Sequence, residues 1–399
     1  MERTLYDQDH EDFRDVVREF VVREVVPHQE RWDADHLIDR AVWTAAGKQG
    51  LLGLAVPEEY GGGGQDDFRY RTVMMEEFAE VGAASLGSGF SVQDDIVLPY
   101  LLDLGTEEQK RRWLPGICAG ETITAIAMTE PGAGSDLQGI RTSAVRDGDE
   151  WVLDGTKTFI TSGILSDLVI VLARTDPAAG ARGMSLFVVE RGMPGFTRGR
   201  KLDKIGLHAQ DTAELFFDSV RVPAANLLGT EGRGFVHLME RLPRERMAIA
   251  VSAQCVTETV LEQTLDYCTE RTAFGRPVAD FQHSRFLLAE LTTQADITRV
   301  YLDRAIEALN EGTLTAVDAA KAKWWATELQ TKTVDRCLQL HGGYGYMKEY
   351  PVARAFLDSR IQTVYGGTTE IMKEIIGRDL AAGRETGRGN VTAKRHTAD

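Results

Sequence analysis

The sequence has few cysteines, few cations and no long apolar run, and each shortage excludes a class of protein. Its four cysteines among 399 residues form no CxxC pair, so we predict buried, reduced thiols and no disulfide framework. Cys337 and His341 lie four apart, but two ligands without a third and a fourth make a poor zinc site, so no metal is expected. No apolar run approaches the roughly 20 residues that cross a bilayer, so no membrane insertion is expected.

Cations are outnumbered, with 45 Lys and Arg against 61 Asp and Glu and a net charge of −16. This excess of negative charge opposes binding to nucleic acid, and an anionic nucleotide ligand would need a local basic pocket. The N-terminal stretch MERTLYDQDHEDF is acidic and has no apolar core. It fits neither a secretory signal nor an acid-poor organelle presequence, so we expect a cytoplasmic protein.

Hydrophobic periodicity divides the chain into three folded parts and a tail. Residues 1–121 have apolar positions at helical spacing, as in EDFRDVVREFVVREVV, and predict a helical domain. Residues 122–232 carry short β-type runs such as LVIVLAR and MSLFVVE with no helix between them, which predicts a small antiparallel barrel or sandwich. Residues 233–384 return to long helical patterns and predict a bundle, while the polar residues 385–399 predict a disordered tail. The expected class is α+β, mainly α.

Two segments of the β unit combine glycine with hydroxyl side chains where strands end. AMTEPGAGSD, residues 127–136, can present backbone N–H groups and hydroxyls to an anion, although an ordinary strand-ending turn is the simpler interpretation. FITSG, residues 159–163, alternates apolar and hydroxyl residues. Core packing of Phe159 is the default interpretation there, and a ligand edge beside Thr161 is the alternative.

Two further glycine-rich segments lie in the C-terminal helical part. In QLHGGYGYM, Gly342 can stop a helix, but Gly343 and Gly345 then remain unexplained and indicate close approach of a ligand. In VYGGTTEIMKE, Gly366 and Gly367 precede a helix predicted to begin near Thr368. Such a helix start can hold a polar ligand or can simply be a cap with its buried face.

These four segments in this order, with RTAFGRP at Arg271–Pro277, resemble the acyl-CoA dehydrogenases. The resemblance covers the chain from Tyr6 to Gly383 and is closest to the long-chain branch in MTEPGAGSDLQGI, AQDTAELFF, LPRER and YGGTTEIMKE. It implies an N-terminal helical domain, a small β domain and a C-terminal four-helix bundle. It also implies a homotetramer, a dimer of dimers, with FAD between the β domain and the bundle.

The same resemblance assigns site residues. Flavin contacts are implied for Met128, Thr129, Gly134, Ser135, Phe159, Ile160 and Thr161, and the FAD site would be completed by Thr368 and Glu370. The pyrophosphate and adenosine part would be held by Arg271, Phe274 and Gln282, with Gln339, Gly342 and Gly343 from a neighbouring subunit. Substrate contacts are implied for Ser135, Arg246 and Gly367.

The catalytic base departs from the commonest family pattern. Many members place a glutamate directly after the tyrosine of the motif that here reads Val364-Tyr365-Gly366-Gly367, and Gly366 cannot remove a proton. The long-chain and isovaleryl members carry the glutamate on the first long helix of the bundle, which matches Glu245 in LPRER. Without the resemblance, this charged stretch reads as a solvated helix face. Pro243 is expected to disturb the helix just before Glu245.

The implied reaction is α,β-dehydrogenation of a fatty acyl-CoA to a trans-2-enoyl-CoA, as in fatty acid β-oxidation. Glu245 would take the α-proton, the Gly366 N–H would help to bind the thioester oxygen, and the β-hydrogen would pass to flavin as hydride. Medium-chain, long-chain and branched acyl groups all stay open, as do aromatic and steroid side chains. An electron-transferring flavoprotein is the expected acceptor, and the alternatives are an oxidase that uses oxygen and a flavin-binding homologue without catalysis.

Overall fold

A computed structural model describes residues 3–393, and the N-terminal third of this chain is helical. Its α-helices are α1 (Gln8–Phe20), α2 (Gln29–Asp35), α3 (Arg40–Lys48), α4 (Phe68–Glu80), α5 (Ala84–Ser91), α6 (Leu98–Leu104) and α7 (Glu107–Cys118). The helix α7 illustrates why these segments fold locally: the Thr106 side chain accepts from the Gln109 N–H, and the Gln109 side chain accepts from the Thr106 N–H.

A π-helical segment, Val92–Val97, joins α5 to α6. Its C-terminal cap shows the wider turn, because the Leu98 N–H donates to the carbonyl of Gln93, five residues earlier. This extra residue per turn changes which side chains of α6 face the centre of the molecule.

The middle of the chain forms one eight-stranded sheet with the order β6-β7-β3-β2-β4-β5-β8, and β1 also pairs with β4. The strands are β1 (Thr124–Ala127), β2 (Ser143–Asp147), β3 (Glu150–Thr161), β4 (Leu168–Arg174), β5 (Met184–Glu190), β6 (Phe196–Lys201), β7 (Thr212–Pro223) and β8 (Leu227–Leu228). Most pairs are antiparallel, as predicted. The parallel pair β1–β4 needs no crossover helix, because the β2–β3 hairpin connects the two strands.

Long helices return after the sheet. They are α8 (Gly234–Glu270), α9 (Gln282–Asn310), α10 (Ala316–His341), α11 (Pro351–Ser359) and α12 (Thr369–Ala393), with a short β9–β10 hairpin (Thr272–Ala273 and Arg276–Pro277) before α9. The helix α8 continues through Pro243. The helix α10 ends where predicted, at Gly342 with a left-handed φ of 61°.

The C-terminal helix extends further than predicted, into the residues expected to form a disordered tail. Helix α12 continues to Ala393, so residues 385–393 are helical, and residues 394–399 lie outside the described residues. No proline interrupts residues 369–393, so the helical hydrogen bonds can continue past the last apolar positions.

Two apolar clusters join the three parts. One contains Leu101 of α6 and Leu114 of α7 together with Ile170 of β4. Another contains Met75 of α4 and Val251 of α8. A space remains where the N-terminal helices, the sheet and α8 meet.

All four cysteines are free and buried. Within residues 3–393, no helix is both long and apolar enough to pass through a lipid bilayer. In the same part of the chain, no three His, Cys, Asp or Glu side chains are grouped to hold a metal ion.

Candidate active site

A cavity of about 1330 Å³ lies at the junction of the three parts. Its walls come from α4, α5 and α8, from the ends of β1 and β3, and from the turn before α12. Ligand sites commonly measure about 300–1,000 Å³, so this cavity has room for more than one drug-sized group.

Glu245 of α8 faces this cavity and is buried, with 4% of its surface exposed. The solvated-face interpretation of this residue is therefore wrong. Its Oε1 atom accepts a hydrogen bond of 2.9 Å from the Tyr100 hydroxyl. Burial raises the pKa of Glu245 to about 7, and the Tyr100 hydrogen bond and the charges of Arg246 and Arg241 oppose part of this rise. Near neutral pH this carboxyl group can exchange a proton.

The turn Gly366–Gly367 forms the wall next to Glu245 and is held by two buried cations. Arg246 Nε donates to the Gly366 carbonyl at 3.2 Å, and Lys323 Nζ donates to the Gly367 carbonyl at 2.7 Å. Both glycines have left-handed φ angles, 64° and 100°. Burial lowers the pKa of Lys323 to about 8. The cations fix both carbonyls, so the turn has one defined orientation beside Glu245.

Another part of the wall is the turn that follows β1, which contains Met128, Thr129, Gly134 and Ser135. The buried Lys157 donates to the Met128 carbonyl at 3.0 Å and to Glu130 Oε1 at 2.9 Å. A Cβ placed on Gly134 would meet no atom within 4 Å, so the space in front of this turn is open.

The end of β3 adds Phe159, Ile160 and Thr161 to this wall. The pairing of β3 with β7 is irregular between Lys157 and Ile160, and Phe159 has a φ of 59°. This irregularity turns the Phe159 side chain outward, where it is 69% exposed. The core-packing interpretation of Phe159 is wrong, and its ring lines the cavity instead.

Seven of the predicted site residues lie outside this cavity. Arg271, Gly342 and Gly343 line a separate hollow of about 390 Å³ with Tyr267 and Tyr344. Exposed positions outside both hollows are occupied by Phe274, Gln282, Gln339 and Glu370. Within this single chain, the two groups of expected cofactor residues therefore do not form one continuous site.

Thr368 lines the main cavity and directly precedes α12. Its Oγ1 atom accepts from the Ile371 N–H at 3.4 Å, which is the geometry of a cap. The cap interpretation and the ligand interpretation of this segment are therefore compatible, because the same residue also lines the cavity.

Sequence reasoning missed three kinds of residue here: Tyr100, Lys323, and the glutamines Gln330 and Gln362. Tyr100 stands in an ordinary apolar stretch, LPYLLDLG, with no pattern around it. Gln330 and Gln362 line the cavity and are buried, and among the described residues neither Oε1 atom has a hydrogen-bond partner. Buried oxygens without partners call for a polar ligand or for water.

Three family models match this chain, one for each of its three parts. The descriptions that match are "Acyl-CoA dehydrogenase, N-terminal domain" over residues 7–121, "middle domain" over 125–220 and "C-terminal domain" over 232–381. The chain belongs to the acyl-CoA dehydrogenase family.

Individual relatives agree with this membership. The long-chain specific acyl-CoA dehydrogenase, mitochondrial, of Sus scrofa is 50% identical over 95% of this chain and 88% of its own length. The crystal structure of acyl-CoA dehydrogenase from Geobacillus kaustophilus has 48% identity and a TM-score of 0.92, with 94% of this chain and 98% of that chain covered. A glutaryl-CoA dehydrogenase from Mycobacterium smegmatis in complex with FADH2 has 30% identity and a TM-score of 0.88, with 95% and 96% covered.

This acyl-CoA dehydrogenase is an FAD-dependent oxidoreductase that dehydrogenates a fatty acyl-CoA. The residues present fit the cofactor, because the part of the wall formed by the ends of β1 and β3 offers an exposed aromatic ring, the Thr129 and Thr161 hydroxyls and open space in front of Gly134. The unpartnered Gln330 and Gln362 oxygens add acceptors for polar ligand atoms.

Proposed function

We propose that Glu245 is the base that removes the α-proton of the acyl-CoA. The observation that carries this proposal is a buried carboxyl group in the cavity wall whose pKa is raised by burial to about 7. A base works best when its pKa is near the operating pH, and a carboxyl group in water, at about 4.3, is a weaker base. Glu245 forms an O–H bond as the α C–H bond breaks.

We assign the binding of the thioester oxygen to the Gly366 N–H. Arg246 and Lys323 fix the carbonyls of this turn, so its N–H groups are oriented before substrate arrives. Fixed donors stabilise negative charge as it develops on the oxygen. We retain Ser135, Arg246 and Gly367 as substrate-side residues because all three line the cavity.

FAD supplies the acceptor for the hydride that leaves the β-carbon. We propose that its flavin end is held by the cavity residues Met128, Thr129, Gly134, Ser135, Phe159, Ile160, Thr161 and Thr368. Glu370, in the first turn of α12, is kept in this set. The adenosine end of FAD is assigned to Arg271, Phe274 and Gln282, with Gln339, Gly342 and Gly343 contributed by a neighbouring subunit. Support for a shared site is that these six residues lie away from the main cavity of their own chain.

A long acyl chain is the proposed substrate. Helix α8 contributes one continuous stripe to the cavity: Glu245, Ile249, Ser252, Val256, Thr259 and Gln263. At 1.5 Å per residue this stripe extends about 27 Å from the base. The facing helix α5 presents small residues, Ala84, Gly87, Ser88 and Ser91, which leave the groove open. The pig relative, named as long-chain specific, agrees with this choice.

We also propose a homotetramer, a dimer of dimers, and an electron-transferring flavoprotein as the acceptor. Exposed apolar side chains on the bundle, such as Phe286 at 65%, Ile297 at 63% and Trp325 at 45%, support assembly. The cytoplasmic location stays a prediction. The pig relative is named as mitochondrial, and cell fractionation distinguishes the two compartments.

The test is anaerobic titration of the FAD-loaded enzyme with acyl-CoA esters of increasing length, with loss of flavin absorbance as the signal. Glu245→Gln should retain FAD and lose turnover on the order of 10²-fold or more. The matched control is Glu262→Gln, an exposed glutamate on the same helix, which should keep full activity.

Normal turnover in Glu245→Gln would remove this residue from the mechanism. No bleaching by any acyl-CoA would support the catalytically inactive alternative. Peroxide formation at the rate of turnover in air would identify an oxidase.

A further inference from the structure

One side chain outside the cavity lining, Tyr100, hydrogen-bonds Glu245. Tyr100 is fully buried, at 0% exposed, and its hydroxyl donates to Glu245 Oε1 at 2.9 Å. Glu245 lines the cavity whereas Tyr100 does not. None of the described residues hydrogen-bonds Oε2. One carboxylate oxygen is therefore anchored in the protein, and the other is free to serve the cavity.

The local fold explains why Tyr100 points at α8. It lies in α6, directly after the π-helical segment Val92–Val97. Val92 and Ile96 both line the cavity, and Tyr100 follows at the same spacing of four. Tyr100 lies one step further along the chain and outside the cavity lining, where its hydroxyl reaches Glu245 Oε1 of α8. Pro99 stands in the first turn of α6, where a proline is tolerated.

The Tyr100 ring is itself fixed. The Arg241 guanidinium lies 5.3 Å from the ring centroid, and Arg241 Nη2 pairs with Asp103 Oδ2 at 3.0 Å. Asp103 belongs to the same helix as Tyr100. These contacts fix the ring in one position, so its hydroxyl proton has a defined direction.

Few charged groups face this pair. From α6 there is the Tyr100 hydroxyl, and from α8 there are Arg241 and Arg246. From α10, Lys323 faces Arg246 and binds the Gly367 carbonyl.

On the side of α4 and the π-helical segment, Arg71 pairs with Asp94 at 3.3 Å and with Asp95 at 2.9 Å. Burial raises the pKa of Asp94 to about 6, and among the described residues no hydrogen bond joins this set to Glu245. The direct hydrogen bond to the Glu245 carboxylate thus comes from the Tyr100 hydroxyl.

We propose that Tyr100 is a positioning residue for the base, holding Glu245 Oε1 so that Oε2 faces the α-carbon of the substrate. This inference rests on the proposed role of Glu245. Tyr100 keeps its proton throughout, and the α-proton goes to Glu245. Removing the hydroxyl takes a donor away from the charged form of the carboxyl group, so the base becomes harder to ionise.

The experiment measures the rate of flavin reduction by an acyl-CoA against pH, in single turnovers of the FAD-loaded enzyme. Wild type should lose rate as the pH falls below about 7. Tyr100→Phe keeps the ring and removes only the hydroxyl, so its midpoint should move up by about one pH unit or more. Its rate should stay below that of wild type even at high pH, because Oε2 is no longer held toward the α-carbon, and its FAD content should be unchanged.

Tyr60→Phe is the matched control. The Tyr60 hydroxyl also donates to a glutamate, Glu107, at 2.6 Å, and it lies outside the cavity. Its midpoint should equal that of wild type. A second variant tests the same hydrogen bond if Tyr100→Phe does not fold. 3-Fluorotyrosine at position 100 retains the hydroxyl and makes it a stronger donor, so the midpoint should move down.

An unchanged midpoint in both Tyr100 variants, with Glu245→Gln still inactive, would overturn the role of Tyr100 and leave Glu245 as the base. Activity in Glu245→Gln would instead overturn the proposed function itself. A double variant, Tyr100→Phe with Glu245→Gln, should lose no more than Glu245→Gln alone, because both changes act through one carboxylate.

Discussion

Burial of Glu245 has two consequences that a base must balance. Desolvation raises its proton affinity, so the carboxylate can accept a proton from a weak carbon acid. The same desolvation reduces the fraction of enzyme in which the group is ionised. Arg241, Arg246 and the Tyr100 hydroxyl limit the rise and keep the pKa at about 7. A pKa near the operating pH leaves the group ionised in part of the enzyme and still basic enough to accept a proton.

Gly366→Glu restores the commoner family pattern, and we expect it to lower activity. A Cβ at this position would lie 2.4 Å from Ile249 Cδ1, and the left-handed φ of 64° costs a side chain roughly 1–2 kcal/mol. The new carboxylate would also enter a cavity that Glu245 already serves. Steady-state rates on straight-chain acyl-CoA esters measure the outcome.

Gly148→Glu is the control for backbone strain alone. Its φ is 67°, and a Cβ there would meet nothing within 4 Å. This variant should lose a little thermal stability and no activity. A gain in rate for Gly366→Glu would contradict the assignment of a single base.

Single residues show where sequence reasoning succeeds and where it stops. Glu245 was predictable because a family motif marks it, although its local sequence looks solvated. Tyr100 was not predictable, since an isolated tyrosine in an apolar helix carries no pattern and its partner lies 145 positions away. Phe159 was misjudged because an irregular strand pairing, and not the alternation of residues, sets its direction.

At the scale of elements, α8 sets the depth of the cavity, and Val256→Phe tests this. Val256 lies midway along the cavity stripe, between Glu245 and the far end at Gln263. A phenyl ring there should block long acyl chains and leave short ones able to reach the base. We expect kcat/KM for the longest esters to fall on the order of 10-fold or more, with little change for short ones.

Leu265→Phe introduces the same ring on the same helix, at an exposed position outside the cavity. It should leave the chain-length profile as it is in wild type. Equal losses for short and long esters in Val256→Phe would mean that the acyl chain does not follow α8.

Helix α10 supports the turn beside the base through Lys323, and Lys323→Met should loosen it. The Gly367 carbonyl would lose its donor, which costs about 1–3 kcal/mol of stability. The turn would lose its fixed orientation, so kcat should fall more than FAD binding. Thermal unfolding and single-turnover rates measure the two effects.

Lys332→Met, on the same helix, removes an exposed lysine that binds Glu290 at the surface. Surface pairs of this kind contribute little, so this control should match wild type in both measurements. If Lys323→Met also matched wild type in both measurements, the turn would keep its orientation without Lys323.

Elements were predictable where their apolar pattern and end signals coincide. Helix α9, from Gln282 to Asn310, lies within the part predicted to form long helices, and α10 ends at the expected glycine. The parallel pairing of β1 with β4 was beyond prediction, because pairing direction depends on contacts distant in sequence. The end of α12 was also missed, since helical hydrogen bonding there continues beyond the apolar pattern that marks a helix.

At the scale of the whole molecule, charge decides where an anionic cofactor can bind. The chain has a net charge of −16, so phosphate groups are repelled except near local cations. Arg271 is such a cation: it is exposed, it borders the smaller hollow of about 390 Å³, and its guanidinium lies 5.4 Å from the Tyr344 ring centroid. This hollow is separate from the main cavity of the same chain, which supports the proposal of a cofactor site shared between two chains.

Arg271→Ala should therefore weaken FAD binding without changing the base or the acyl groove. Loss of one charge-assisted hydrogen bond to phosphate corresponds to about 10-fold or more in affinity. The ratio of flavin to protein after gel filtration measures retention, and light scattering measures assembly in the same sample. Refilled with excess FAD, the variant should regain its single-turnover rate, because Glu245 and Tyr100 are untouched. Arg336→Ala, at an exposed position on α10, should retain FAD as wild type does. Full retention in Arg271→Ala, with assembly intact, would place the phosphate groups elsewhere and remove the argument for a site shared between subunits.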